Sequence, residues 1–303
     1  MTHMIPFEDG QIGLDWLALT DALADGHSRT KAKVEDVFMY RDGDTLLNRS
    51  AWIEGMGLAI KCATIFPSNK AAGDPMVNGA VNLFSDDNGQ LEAILDFHLV
   101  TKWKTAADSL LAARRLARPN SKRILIVGAG IVGRSLWQAY SAAFPQAKFF
   151  IWNRSPEGAQ QFVKDCDGVT VTTDLEAAVR DADIVTSATM ATEPLLKGAW
   201  FQPGQHIDLI GAYRPDMREV DDEALLRTRV FVDSYATTMK HIGELKIPLE
   251  AGVISPDHIV ADYYALDMFQ RRSEDEITLF KNGGGAHLDL MTSCYIMDVW
   301  KGR

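Results

Sequence analysis

Little in this sequence offers metal, disulfide or nucleophile chemistry. Its three cysteines, Cys62, Cys166 and Cys294, stand far apart and form no C-x-x-C pair, so they read as buried thiols of a reducing compartment. There is no H-E-x-x-H, no cluster of cysteine and histidine and no paired aspartate run, and no metal site is expected. The Gly-x-Ser-x-Gly of a serine nucleophile is absent too. Basic residues are in deficit: 31 Lys and Arg against 41 Asp and Glu give a net charge of −10, with the two signs mixed along the chain. A nucleic-acid partner would call for the opposite balance. No apolar run approaches the ~20 residues needed to cross a bilayer. The opening Met1-Thr-His-Met-Ile-Pro-Phe7 has neither a basic leader nor an apolar stretch, so a cytoplasmic location is expected. Internal repeats and low-complexity tracts are missing as well.

What is present is enough apolar material for full cores and one nucleotide-binding signature. With 47% hydrophobic residues, a chain of 303 fits about two domains. In Arg123-Ile-Leu-Ile-Val-Gly128-Ala-Gly130-Ile-Val-Gly133, four apolar residues run into a G-x-G-x-x-G, and an amphipathic helix pattern follows. The first glycine permits a tight turn, the second lets backbone approach a pyrophosphate, and the third lets helix pack on strand. The N–H groups and positive end of that helix would face the phosphates. A bare glycine motif also describes an ordinary strand-to-helix turn. Here a second strand ends about 20–25 residues later, where the dinucleotide fingerprint requires it. Gly128, Ala129, Gly130, Ile131, Val132 and Gly133 are therefore candidate cofactor-binding residues.

The segment up to Asn120 is of mixed type. A short amphipathic helix is predicted over Asp15–Ala24, then a polar stretch from His27 to Glu35, then strands at Val37–Tyr40, Thr45–Ile53 and Leu58–Phe66. Val81–Phe84 and Leu91–Leu95 flank Asp86-Asp87-Asn88-Gly89, whose Asn-Gly pair predicts a tight hairpin. Thr101–Ala117 reads as helix, and Arg118-Pro-Asn-Ser-Lys122 as a linker. Strands are then predicted at Ile124–Val127, Phe149–Trp152, Val169–Thr172, Ile184–Ser187, His206–Leu209 and Val230–Val232, with helical patterns between most of them. That alternation is the pattern of an α/β domain, a Rossmann-type doubly wound parallel sheet covered on both faces. Pro156 and Asp174 mark two helix starts, and the tail from Gly284 to Trp300 is again helical in pattern.

At the end of the second Rossmann strand the chain reads Asn153-Arg154-Ser155. An acidic residue there holds the ribose 2′-hydroxyl of NAD, whereas a neutral residue followed by arginine suits the 2′-phosphate of NADP, so NADPH is favoured with NADH as the alternative. Arg154 on a solvated rim is the plain alternative. Ala188, Thr189 and Met190, after Ile184–Ser187, are candidates for lining the cofactor, and filling a turn would explain them equally well.

These segments together resemble the ornithine cyclodeaminase/mu-crystallin family. The likeness runs through Gly57-Leu-Ala-Ile-Lys61, Phe66-Pro-Ser-Asn69, Asp96-Phe-His-Leu-Val-Thr101 and Lys104-Thr-Ala-Ala107. It continues through Gly128-Ala-Gly130, Ile151-Trp-Asn-Arg154, Ala191-Thr-Glu-Pro194, Gly211-Ala-Tyr-Arg-Pro-Asp-Met-Arg-Glu219 and Phe280-Lys-Asn-Gly-Gly-Gly-Ala286. The resemblance implies a homodimer of two-domain subunits. An α+β substrate-binding and dimerisation domain would span 1–120, completed by the C-terminal helix at about 284–303, and an NAD(P)-binding Rossmann domain would span 121–283. Cyclodeaminases of the family place an Asp at the third position of Gly211-Ala212-Tyr213, where Tyr213 cannot act as a carboxylate base. Tyr213 is instead a candidate cofactor contact. The nearest likeness is to the ketimine reductases, which implies NAD(P)H-dependent reduction of delta-1-pyrroline-2-carboxylate to L-proline, or of the six-membered piperideine to L-pipecolate. A cyclodeaminase, an amino-acid dehydrogenase of the same fold and a non-catalytic NADPH-binding protein are the alternatives.

A cyclic imino acid presents a carboxylate beside its C=N carbon. Lys61 and Lys104 are the candidate catalytic cations for that carboxylate and Arg49 a third. Lys104 stands where the family usually has arginine, keeping the charge without the bidentate fork. Each has a plainer explanation: Lys61 and Arg49 on outward strand positions, Lys104 on a solvated helix face. Asn69, Asn78 and Thr105 are further substrate-binding candidates, the two asparagines doubling as turn formers. Gly284 and His287 complete the set, His287 with capping or packing as its simpler role.

Overall fold

A computed structural model describes residues 1–303, which divide into two compact units, Met1–Lys104 with Gly285–Arg303, and Thr105–Gly284. The first unit opens with β1 (His3–Ile5), α1 (Phe7–Gly10) and α2 (Trp16–Ser28), the last capped by Asp15, whose carboxylate accepts from the Ala18 N–H. An antiparallel meander follows: β2 (Lys33–Arg41), β3 (Asp44–Ile53), β4 (Gly57–Ile65), a short α3 (Asn69–Ala72), β5 (Val77–Phe84) and β6 (Leu91–Asp96). Sheet order is β1-β6-β5-β4-β3-β2, with β1 joining in parallel.

The Asn-Gly segment does form a hairpin, with Gly89 at φ 69°. A second hairpin turns at Asp42-Gly43, both at positive φ, and its ladder draws Lys33–Glu35 into β2, where the sequence predicted a polar loop. Cross-strand pairing outweighs the weak strand preference of those residues.

α4 (Phe97–Leu116) contains the division between the units, at Lys104–Thr105. The expected boundary at Arg118–Lys122 is not a linker. Asp183 accepts from the Arg118 guanidinium at 2.6 Å and from the N–H groups of Lys122 and Arg123, fastening that segment into the second unit.

The second unit runs β7 (Arg123–Val127), α5 (Ile131–Ala143), β8 (Lys148–Trp152), α6 (Pro156–Asp165), β9 (Val169–Val171), α7 (Leu175–Asp181), β10 (Ile184–Ser187) and β11 (His206–Leu209). It continues with α8 (Asp222–Arg227), β12 (Arg229–Val232), α9 (Tyr235–Thr238), α10 (Gly243–Glu250), β13 (Ile259–Ala261) and β14 (Thr278–Lys281). All eight strands are parallel, in the order β13-β12-β14-β11-β10-β7-β8-β9. The chain winds outward from β7 in both directions, so a switch point lies between β7 and β10. β14 was not foreseen: it is four residues long, follows the charged run Arg271–Glu276 and ends on a lysine, yet it is fully buried between β11 and β12. Finally α11 (Ala286–Lys301) belongs to the first unit, where it packs on β3, β4 and α2.

Candidate functional site

The second unit offers a dinucleotide crevice at the switch point. Gly128 adopts φ 109°, and a Cβ there would lie 2.7 Å from the Ala188 carbonyl oxygen. On Gly133 a Cβ would meet the Gly128 oxygen at 2.3 Å, so this glycine is what lets α5 close on β7. Gly130 is different: nothing lies within 4 Å of the position its Cβ would take, and no side chain caps α5 above it. Open space over an uncapped helix N-terminus suits a pyrophosphate, and this cradle fits the expected group. Two apolar side chains beside it, Ile131 and Met190, are 80% and 71% exposed, as befits residues that a ligand covers.

The residues after β8 divide their tasks. Asn153 accepts from the Ala129 N–H at 3.1 Å and donates to the Ser155 carbonyl at 3.0 Å, so its amide shapes the glycine turn. Ser155 caps α6 by accepting from the Gly158 N–H. Arg154 is exposed and forms no ion pair, leaving its guanidinium available to an anion. Tyr213 is 57% exposed, with the Arg214 guanidinium beside its ring.

In the first unit, register places Asp36, Arg49 and Lys61 in one row across β2, β3 and β4. Ala59, Lys61 and Ala63 are buried while Ile60 faces out, which places Lys61 inward between two small neighbours. The lysine Nζ donates to Thr101 Oγ1 at 2.7 Å and to Asp289 Oδ1 at 3.0 Å, and lies 4.4 Å from the centre of the Phe97 ring. Lys104 Nζ donates to the other oxygen of the same carboxylate, also at 3.0 Å. It is buried as well, and the solvated helix face expected of an isolated lysine does not apply.

Two buried lysines share one aspartate, one on each of its carboxylate oxygens. Burial drives the Lys61 ammonium down to about 8, against the pull of Asp289, which favours the charged form. Burial opposes the charge on Asp289, but Lys104 and Lys61 together hold it below the ordinary carboxylate value. Arg49 is tied to Asp36, with Nη2 to Oδ2 at 2.6 Å. His287 is buried in the first turn of α11, its ring edge-on to His27 at 5.2 Å, and burial keeps it far below the usual histidine range, neutral. Asn69 and Asn78 both donate to the Pro75 carbonyl, a turn-holding role. The Thr105 carbonyl accepts from Asn282, and the Gly284 N–H donates to Asp233; both residues lie in the second unit.

Two buried acids stand outside the candidates that the sequence motifs single out. Asp289 lies in a tail whose pattern is simply helical, although an acidic residue within Leu288-Asp-Leu-Met291 signals a buried partner. Glu219 stands at the end of the Gly211–Glu219 segment. Its carboxylate is fully buried and accepts from Ser187, Thr189, Gly211 and Ala212.

Comparison with known proteins agrees with the fold. The ornithine cyclodeaminase/mu-crystallin family model matches residues 19–303. The delta(1)-pyrroline-2-carboxylate reductase of Paracoccus denitrificans is 48% identical over 308 residues, covering 99% of this chain and 98% of its own. The structure of the delta(1)-pyrroline-2-carboxylate reductase of Thermococcus litoralis in complex with NADH and L-proline superposes with a TM-score of 0.90 at 26% identity, over 99% of this chain and 97% of that one. An archaeal alanine dehydrogenase dimer with bound NAD gives 0.90 at 25% identity, over 99% and 96%.

Proposed function

The chain belongs to the ornithine cyclodeaminase/mu-crystallin family, and from that premise we propose that it is an NAD(P)H-dependent reductase of cyclic ketimine acids, acting on delta-1-pyrroline-2-carboxylate to give L-proline. The observation that carries the reading is the pair of buried lysines on one aspartate. Two buried ammonium groups held side by side by one aspartate form a preorganised cationic pair, and such a pair suits an incoming carboxylate. Lys61 commits N–H groups to Thr101 and Asp289, and a remaining one would serve that carboxylate. Lys104 and Arg49 complete the clamp, and Asp289 fixes where the ammonium groups stand.

A nicotinamide dinucleotide, when bound, would supply the hydride. Gly128 to Gly133 and the start of α5 would hold its pyrophosphate, and Arg154 would favour the 2′-phosphate of NADPH over the hydroxyl of NADH. Neutral, buried His287 supports the clamp from α11 and carries no charge of its own at neutral pH. Tyr213 puts a phenol where cyclodeaminases of the family carry a carboxylate, and this favours reduction over deamination.

The molecule acts as a homodimer built through the first unit. β2 is an edge strand whose Val37, Phe38, Met39 and Tyr40 are all at least 47% exposed, and long apolar edges of this kind call for a partner. Lys61→Ala tests the substrate site. Imine reduction should fall roughly thirty- to several-thousandfold in kcat/KM, the effect of losing a charged contact worth about 2–5 kcal/mol, while NADPH binding stays intact. Full activity in that variant would remove the clamp from the account.

A further inference from the structure

We propose that Glu219 is the positioning residue for one wall of the cofactor crevice, its buried carboxylate locking together the loops that follow β10 and β11; the proposal rests on the reading that the second unit binds a nicotinamide dinucleotide. One oxygen accepts from Ser187 Oγ at 2.6 Å, from the Thr189 N–H at 2.8 Å and from Thr189 Oγ1 at 2.8 Å. The other accepts from the N–H groups of Gly211 at 2.6 Å and Ala212 at 3.3 Å. All five donors sit at the carboxyl ends of adjacent parallel strands, the edge at which such sheets hold ligands.

The two loops touch backbone to backbone. A Cβ on Gly211 would lie 1.9 Å from the Thr189 oxygen, and the Ala188 carbonyl presses on the Gly128 turn in the same way. A shift of one loop therefore moves the other and the dinucleotide turn with it. Glu219 is itself held, because its own N–H and that of Val220 donate to the buried Glu244 carboxylate at 2.8 and 3.1 Å. Lys281, donating to the carbonyls of Leu209 and Asn282, is the buried cation that offsets these acids.

The anchored residues alternate with exposed ones. Thr189 is followed by Met190 at 71% exposure, and Ala212 by Tyr213 at 57%. A thioether and a phenol ring presented from a wall fixed behind them offer flat, polarisable contacts to a ring system. Packed apolar side chains could stabilise the two loops as well as a buried acid does. What the carboxylate adds is direction, since five donors converging on two oxygens allow one relative placement of the loops.

Glu219→Gln keeps the shape and turns one acceptor oxygen into an amide that faces N–H or O–H donors. NADPH binding, read directly by fluorescence titration on protein shown to be folded, should weaken about tenfold or more, the scale of one or two lost charge-assisted hydrogen bonds. In turnover, KM for NADPH should rise and kcat fall while KM for the imine at saturating cofactor stays at the wild-type value. Ser187→Ala and Thr189→Ala each remove a donor and should weaken NADPH binding in the same direction by a smaller factor. A role in folding alone would lower Tm and leave the Kd of folded protein unchanged, and that result overturns the proposal. If Glu219→Gln does not fold, wild-type NADPH binding in both alanine variants overturns it equally. Wild-type protein that binds NADPH but reduces no imine would sink the proposed reaction and leave the Glu219 assignment to be judged on binding. Wild-type protein that binds no nicotinamide cofactor would sink both.

Discussion

Asp289→Asn removes one charge and almost no volume from the site where two buried lysines meet. In the native protein each lysine lies 3.0 Å from this carboxylate. Stripping the partner from a buried charge costs about 3–5 kcal/mol. Lys61 starts from about 8, and loss of the carboxylate that favours its charged form lowers its hold on a proton further. The sign of the stability effect follows. A lysine held below its ordinary 10.5 binds fewer protons folded than unfolded, so its contribution to stability rises with pH between the two values. That window opens at about 8 in the native protein and at a lower pH in the variant. The variant should therefore be less stable at neutral pH and regain part of the deficit as the solution becomes alkaline. In kinetics, the alkaline limb of kcat/KM for the imino acid should move toward acid, with KM raised several-fold near neutrality. NADPH oxidation followed across pH, with Tm measured in the same buffers, reads both effects. Superimposable pH profiles for native and variant protein would refute the shared-carboxylate clamp.

Gly130→Ala should leave Tm unchanged, since its Cβ meets nothing, yet weaken NADPH binding by crowding the pyrophosphate; an unchanged Kd would move the phosphate elsewhere. Arg154→Ala should raise KM for NADPH roughly ten- to a hundredfold, the value of a charge-assisted contact of about 1.5–3 kcal/mol, with little change for NADH. Equal effects on the two cofactors would remove the 2′-phosphate assignment. Light scattering should give about twice the 33.5 kDa subunit mass, and Phe38→Glu on β2 should shift it toward one subunit. An unchanged mass in that variant would place the interface away from this strand.

The parallel sheet was legible because glycine spacing, short apolar runs and caps such as Asp174 all point the same way in the second unit. β14 was not, because its membership of the sheet comes from neighbours distant in the chain; four residues ending in a lysine carry no local signal. The lysines illustrate the same limit. Alternation around Lys61 allowed either face, and only the placement of α11, bringing Asp289 to within 3.0 Å, explains a buried ammonium. Asn153 and Ser155 were visible as residues of the cofactor edge, but their hydrogen bonds to the turn and the helix depend on backbone geometry that composition does not reveal.

The most direct test of the central claim sets two reactions of the purified protein side by side: oxidation of NADPH by delta-1-pyrroline-2-carboxylate, and release of ammonia from L-ornithine. The expected result is rapid imine-dependent NADPH loss with L-proline formed, and no ammonia, because Tyr213 provides no carboxylate for deamination. Proline made from ornithine at a rate comparable to imine reduction, or NADPH that stays reduced in the presence of the imine, would contradict it.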